Sequence, residues 1–187
     1  MATFRGSFFL DPRKSLALYY PRTEWAFNRI NPPWGGSLLR IVVQRVKQAS
    51  VQIQNETVGE IGPGLLIFLG VGQDDTEEDV GYLVEKVLHL RIFADSQSRL
   101  NLSLTDIHGS LMIVSQFTLW GDCRRGRRPS FSHSAPPEKA EPLYNLFIRK
   151  AKEAGLTVTS GRFQAMMEVH LINDGPVTLL LDSQKTL

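Results

Sequence analysis

The stretch RIVVQRVKQASVQIQNETVGEIGPGLLIFLGV, residues 40–71, decides the fold. Ile41-Val42-Val43-Gln44-Arg45-Val46 and Ala49 to Gln54 are rich in β-formers and read as two strand segments. Asn55-Glu56-Thr57 makes a short turn into Val58-Gly59-Glu60-Ile61, and Gly62-Pro63-Gly64 makes a second. Leu65 to Val71 is an unbroken apolar run, short enough for a strand and patterned for complete burial.

Towards the C-terminus the period changes. Thr76 followed by Asp79 resembles a capping box, and Val80, Leu83, Val84, Val87 and Leu90 fall on one helical face. His89 lies beside that face as a surface or half-buried residue. Leu111 to Leu119 reads as another buried strand, followed by a basic loop from Gly121 to Pro129. Ser134, Pro136 and Pro137 mark a helix start, Ala140, Leu143, Phe147, Ala151 and Ala154 form its stripe, and Gly155 ends it. Two late strands, Met166 to Ile172 and Val177 to Asp182, are joined by Asn173-Asp174-Gly175-Pro176. Hairpins with two strand–helix alternations define an α/β class, a single compact domain over residues 40–187 with a mixed sheet and two main helices.

Residues 1–39 read differently. Aromatics are scattered, no period is sustained, and the segment ends in Pro32-Pro33-Trp34-Gly35-Gly36. This irregular extension holds five of the 21 basic residues and two of the 19 acidic ones, so the formal net charge of +2 owes much to it. It lacks the apolar core of a secretory signal, and as a transit peptide it is poor in Ser and interrupted by Asp11 and Glu24.

Several chemistries are excluded. A single cysteine, Cys123, rules out an internal disulfide framework and a cysteine-based zinc cluster. The four histidines, His89, His108, His133 and His170, lack ligand-like spacing, so neither metal nor cofactor is expected. The longest apolar runs are too short to span a bilayer. Nucleophile elbow, phosphate-binding loop and His-Glu-x-x-His motifs are all absent. Two features stay open. Arg124, Arg125, Arg127 and Arg128 are suited to phosphate contacts, against the alternative of a merely solvated loop. They would also favour a thiolate at Cys123, against a plain loop cysteine. Asn173 to Pro176 is on local grounds a hairpin turn, although a Gly-Pro bond in cis would turn two carbonyls the same way.

Two motifs taken together are specific. Ser115-Gln116-Phe117-Thr118-Leu119, followed by Arg127-Arg128-Pro129-Ser130-Phe131, resembles the Ser-Gln-x-x-Thr signature of the D-aminoacyl-tRNA deacylases. Asn173-x-Gly175-Pro176-x-Thr178 resembles the family's Gly-cisPro signature. Residues 40–46, Val58 to Gly64, Asn101 to Leu104 and Gly161 to Phe163 are similar to the family in the same order. The resemblance runs from Arg40 to about Ser183.

It implies a barrel-like core and a cytoplasmic homodimer that hydrolyses D-aminoacyl-tRNA and mischarged glycyl-tRNA while sparing L-aminoacyl-tRNA. Ser115, Gln116, Phe117 and Thr118 would form the catalytic wall, and backbone N–H groups near Gln116 and Phe117 would stabilise the oxyanion. Thr118 would position water or structure and would not attack. Gly175 and Pro176 would reach in from the partner subunit to exclude L side chains, supported by Arg45, Asn173 and Thr178. Phe163 and Met167 would line the pocket of the terminal adenosine, with the four arginines on tRNA phosphates. The resemblance departs at Trp120-Gly121-Asp122-Cys123, where the family often has Tyr-Ala-Asp-Thr, and at the extension. Members begin with Met where this chain has Leu39, so the expected product starts at Leu39 read as Met, with residues 1–38 untranslated. The alternatives are a non-catalytic RNA-binding homodimer and a generic esterase using Cys123 or Thr118.

Overall fold

The computed structural model describes residues 38–187. The extension expected over residues 1–39, with its transit-peptide and start-site readings, lies outside the described residues except for Leu38 and Leu39. Leu39 is fully buried, and its amide donates to Ser183 Oγ at 3.1 Å.

Among the described residues eight strands, β1 Arg40–Ile53, β2 Glu56–Ile61, β3 Gly64–Gly70, β4 Phe93–Ala94, β5 Leu100–Leu102, β6 Ser110–Ser115, β7 Thr157–Ser160 and β8 Glu168–Asp182, accompany two α-helices, α1 Glu77–His89 and α2 Pro137–Glu153. The main sheet runs β2-β1-β3-β6-β7, with β8 pairing β1 from its other side. β1 is antiparallel to β2, β3 and β8, whereas β3–β6 and β6–β7 are parallel, each parallel step crossed by one helix. The sheet curls until Thr159 Oγ1 of β7 donates to Glu60 O of β2 at 3.5 Å, which nearly closes a barrel.

Strand periodicity and two-sided burial explain why β3 and β6 read as continuous apolar runs. Leu65, Ile67, Leu69, Leu111 and Ile113 meet α1 and α2 in the larger core, which includes Val80, Leu83, Leu143 and Phe147. Leu66, Met112 and Val114 turn the other way, onto Val46, Ala49, Val51 and Ile61 inside the curl. Gly64 permits the β3–β6 approach, because a Cβ there would lie 1.9 Å from Ser110 O.

The Thr76 and Asp79 side chains form the expected capping box on α1, and Gly155, at φ +83°, follows the end of α2. Four expectations are corrected. The two segments within residues 40–54 are one strand, β1, and its tight turn is Gln54-Asn55, both at positive φ, one residue ahead of the expected one. β7 was not expected at all; Thr157-Val158-Thr159-Ser160 is too short to show a period. The strand from Leu111 stops at Ser115 instead of Leu119. The chain turns into a 3-10 turn, Phe117–Trp120, because Trp120 folds back to donate from its indole to Gly70 O at 3.2 Å. Arg40 stacks on that indole at 4.1 Å and donates to Leu119 O at 3.0 Å. Finally, Asn173 to Pro176 is no hairpin turn: β8 continues through it along β1. The register passes from Val46↔Asn173 to Gln44↔Thr178, leaving residues 174–177 as an excursion opposite Arg45.

Candidate active site

The break after Ser115 opens a cleft of about 850 Å³ where β6, the segment before α2 and the loop before β8 converge. Ser115, Gln116 and Phe117 line it together with Phe131, Ser134, Phe163, Met167 and neighbouring apolar residues. Five of the expected site residues, Ser115, Gln116, Phe117, Phe163 and Met167, thus line one cleft although Ser115 and Met167 are 52 positions apart. Among the described residues, none that lines it carries an ionisable side chain. The cleft offers hydroxyls, amides, rings and backbone.

Within it, Phe117 is 56% exposed and meets Phe131 edge-on at 5.1 Å. Phe163 packs at 5.8 Å against Tyr144, whose hydroxyl donates to Ile113 O at 2.9 Å. Burial pushes the Tyr144 phenol up to about 12, so it remains a protonated donor. Met167 crosses so close to Gly161 that a Cβ there would lie 2.5 Å from Sδ.

The backbone at the strand end is partly committed. Gln116 N–H donates to Leu69 O at 2.8 Å, which removes it from the expected oxyanion donors, whereas Phe117 N–H has no such strand partner among the described residues. The Gln116 side-chain amide donates to Thr118 Oγ1. Thr118 is exposed and does not line the cleft.

The second motif lies elsewhere on the same chain. Neither Gly175 nor Pro176 lines this cleft, and their peptide bond is cis. Arg45, 8% exposed, spans the excursion: Nε donates to Asp174 O at 3.1 Å, Nη2 to Gly175 O at 3.3 Å and Nη1 to Ile92 O. Its Nε also lies 2.9 Å from the Asp174 carboxylate. Asn173 Nδ2 reaches Arg45 O at 3.0 Å and Val177 O at 3.1 Å. Gln44, which the sequence did not single out, accepts from Thr178 Oγ1 at 2.7 Å.

The basic loop projects from an isolated bridge, Asp122↔Ser130. Arg124 is held by Asp122 through a two-point contact, Nε to Oδ1 at 2.8 Å and Nη2 to Oδ2 at 2.7 Å, which drives the Asp122 carboxyl well below its usual range. Arg125, Arg127 and Arg128 are exposed, as is Cys123.

Outside the cleft lining, Asp75 accepts Gly72 N–H at 2.6 Å and Leu38 N–H. It thereby braces the backbone next to Val71, a cleft residue whose carbonyl accepts from Ala135 at 2.9 Å. Burial raises the Asp75 carboxyl to about 6, even with those two amides opposing the shift. Among the described residues no cluster of His, Cys, Asp and Glu could hold a metal, and no helix is long and apolar enough to cross a membrane.

A curled mixed sheet carries a cleft whose described lining offers shape, rings and backbone dipoles. Residues 42–182 match the family described as D-Tyr-tRNA(Tyr) deacylase. A curated D-aminoacyl-tRNA deacylase of Thermosipho africanus (strain TCF52B) is 58% identical over 147 residues, 79% of this chain and 99% of that one. A solved structure titled c-Myc DNA Unwinding Element Binding Protein superposes with a TM-score of 0.72 at 38% identity, over 76% of this chain and 97% of that chain. A second, titled as a probable eukaryotic D-amino acid tRNA deacylase, shares the fold at 21% identity, with a TM-score of 0.69 over 78% and 99% of the two chains. The chain belongs to the D-aminoacyl-tRNA deacylase family, a family of hydrolases.

Proposed function

We propose that the protein is a cytoplasmic homodimer that hydrolyses the ester joining a D-amino acid, or glycine, to the terminal adenosine of tRNA. The observation that carries this reading is the composition of the cleft: Ser115 to Phe117 share it with Phe163 and Met167, and among the described residues no ionisable side chain lines it. An aminoacyl ester is an activated acyl group, so attack by water needs no strong side-chain base. The Phe117 N–H, left out of the strand ladder, supplies a dipole for the developing oxyanion. The ribose 2′-hydroxyl of the substrate assists the water. Phe163 stacks on the terminal adenine, with Met167 beside it.

Chirality is decided by Gly175-Pro176 of the partner subunit. Their carbonyls take the substrate's amino group and fill the space of an L side chain, so D side chains and glycine pass. Two observations support a site completed by a second copy. The segment does not line its own chain's cleft. Around the strand that carries it, Met166, Leu171, Ile172 and Leu180 are 92, 37, 49 and 57% exposed, an apolar surface that a second copy would cover.

The test is parallel deacylation of D-Tyr-tRNA, Gly-tRNA and L-Tyr-tRNA by the full chain and by a chain starting at residue 39. Loss of the first two esters with survival of the third is expected, at equal rates for both chains. Indifference to chirality would mean a plain esterase. A structure 38% identical to this chain carries a title describing DNA binding, which favours a non-catalytic nucleic-acid-binding dimer as the second reading. Binding of tRNA without turnover of any ester would select it.

A further inference from the structure

The Gly175-Pro176 excursion is held by more than Arg45. Asn173, at its N-terminal edge, places Nδ2 3.0 Å from Arg45 O, 3.1 Å from Val177 O and 3.1 Å from Gln44 Oε1. Two of these acceptors are backbone carbonyls, which have no proton to give, so the Asn173 group facing them is its NH2. The Gln44 atom facing that NH2 must then be its carbonyl oxygen. Thr178, at the C-terminal edge, approaches the same oxygen at 2.7 Å, so its hydroxyl is the donor. One acceptor atom thus ties residue 173 to residue 178, the two points where β8 leaves and rejoins its register with β1. Alternation along β1 puts the Arg45 and Gln44 side chains on opposite faces. Arg45 grips the carbonyls of Asp174 and Gly175 from one face, and Gln44 closes the mouth of the excursion from the other.

We propose that Gln44 is a positioning residue for chiral selection: its Oε1 cross-links Asn173 to Thr178 and so holds Gly175-Pro176 in the pose that excludes L-aminoacyl esters. This rests on the function proposed above and deepens it. The contribution is that of an acceptor. Its amide NH2 is dispensable, and a carboxylate at this position serves as well.

The experiment compares Gln44→Met, which keeps the length and deletes the acceptor, with Gln44→Glu, which keeps it. For each, kcat and KM on D-Tyr-tRNA and L-Tyr-tRNA are measured beside the unsubstituted chain. Gln44→Met should lower the D-over-L ratio of kcat/KM by roughly tenfold, the scale of one or two lost hydrogen bonds, and through kcat more than KM. Gln44→Glu should hold the ratio at the parent's value, a rescue that a general packing role would not produce. Should Gln44→Met fold poorly, Thr178→Val removes the donor from the other side of the same bond and must lower the ratio likewise. An unchanged ratio in a folded Gln44→Met or Thr178→Val protein, or Gln44→Glu behaving like Gln44→Met, overturns the proposal. An unsubstituted chain that treats the two esters alike overturns the function on which it rests.

Discussion

Arg45 Nη2 donates to the carbonyl of Gly175 at 3.3 Å, across 130 residues of sequence. The contact joins the first strand to the last and is made at the point where their ladder is interrupted. A guanidinium suits it because one planar fork serves the carbonyls of Ile92, Asp174 and Gly175 together with the Asp174 carboxylate. Arg45→Lys presents a single ammonium to these acceptors and leaves some of them unsatisfied, among them the buried Ile92 carbonyl or the part-buried carbonyls of the excursion. A loss of about 1–3 kcal/mol in stability is expected. Chemical denaturation checks the stability, and D-Tyr-tRNA deacylation should fall as well. An Arg45→Lys protein as stable as the parent would show that the fork is not needed.

Gly175→Ala separates folding from function. Among the described residues of its own chain, a Cβ at this position meets nothing nearer than Asn173 Oδ1 at 3.4 Å, and Gly175 does not have a left-handed φ. The melting temperature should therefore stay near the parent's. Deacylation of D-Tyr-tRNA should nonetheless drop on the order of 100-fold, the scale for a misplacement of about 1 Å at a reacting centre. Full activity would place the substrate away from this segment.

The arginines of the loop are not equivalent. All four are exposed, but Arg124 is committed to Asp122 by a two-point contact. Replacing Arg125, Arg127 and Arg128 with Ala should raise KM for tRNA and flatten its salt dependence by about 0.7–0.9 in log–log slope per lost phosphate contact. Arg124→Ala should change the slope least. KM measured between low and moderate salt for each variant decides it, and equal effects at all four positions would refute the distinction.

Stability should fall as pH rises through a window set by Asp75. Its carboxyl titrates near 6 in the folded chain, against about 3.9 for an ordinary Asp, so the folded state holds this proton more tightly than the unfolded state. The associated stability is complete below about pH 4 and is lost by about pH 6. Asp95, Asp106 and Asp122, lowered by hydrogen bonds, act in the opposite sense at more acidic pH and are common to both proteins compared. Melting temperatures from pH 4 to 7 should decline for the parent relative to Asp75→Asn. Parallel curves would assign the titration elsewhere.

Much of this protein was legible without coordinates, because burial patterns and caps are local properties. The apolar run at Leu65 to Val71, the Thr76–Asp79 box and the stripe through Leu143, Phe147 and Ala151 each specify an element and its buried face. The paired motifs at Ser115 to Thr118 and Asn173 to Thr178 were visible as motifs, although not that one would line a cleft and the other would stand apart from it on the same chain. Tertiary structure decided the rest. The strand ends at Ser115 because Trp120 must reach Gly70, and β8 runs on through Asp174 because all of β1 lies beside it. Neither cause is visible in its own neighbourhood. Gln44 is the sharpest case: by composition it is an ordinary polar strand residue. The hydrogen bond it accepts from Thr178 spans 134 positions, and only the folded chain brings those two atoms within 2.7 Å. Local sequence sets which face a side chain turns to the core, whereas strand pairing over long separations sets which side chain it meets.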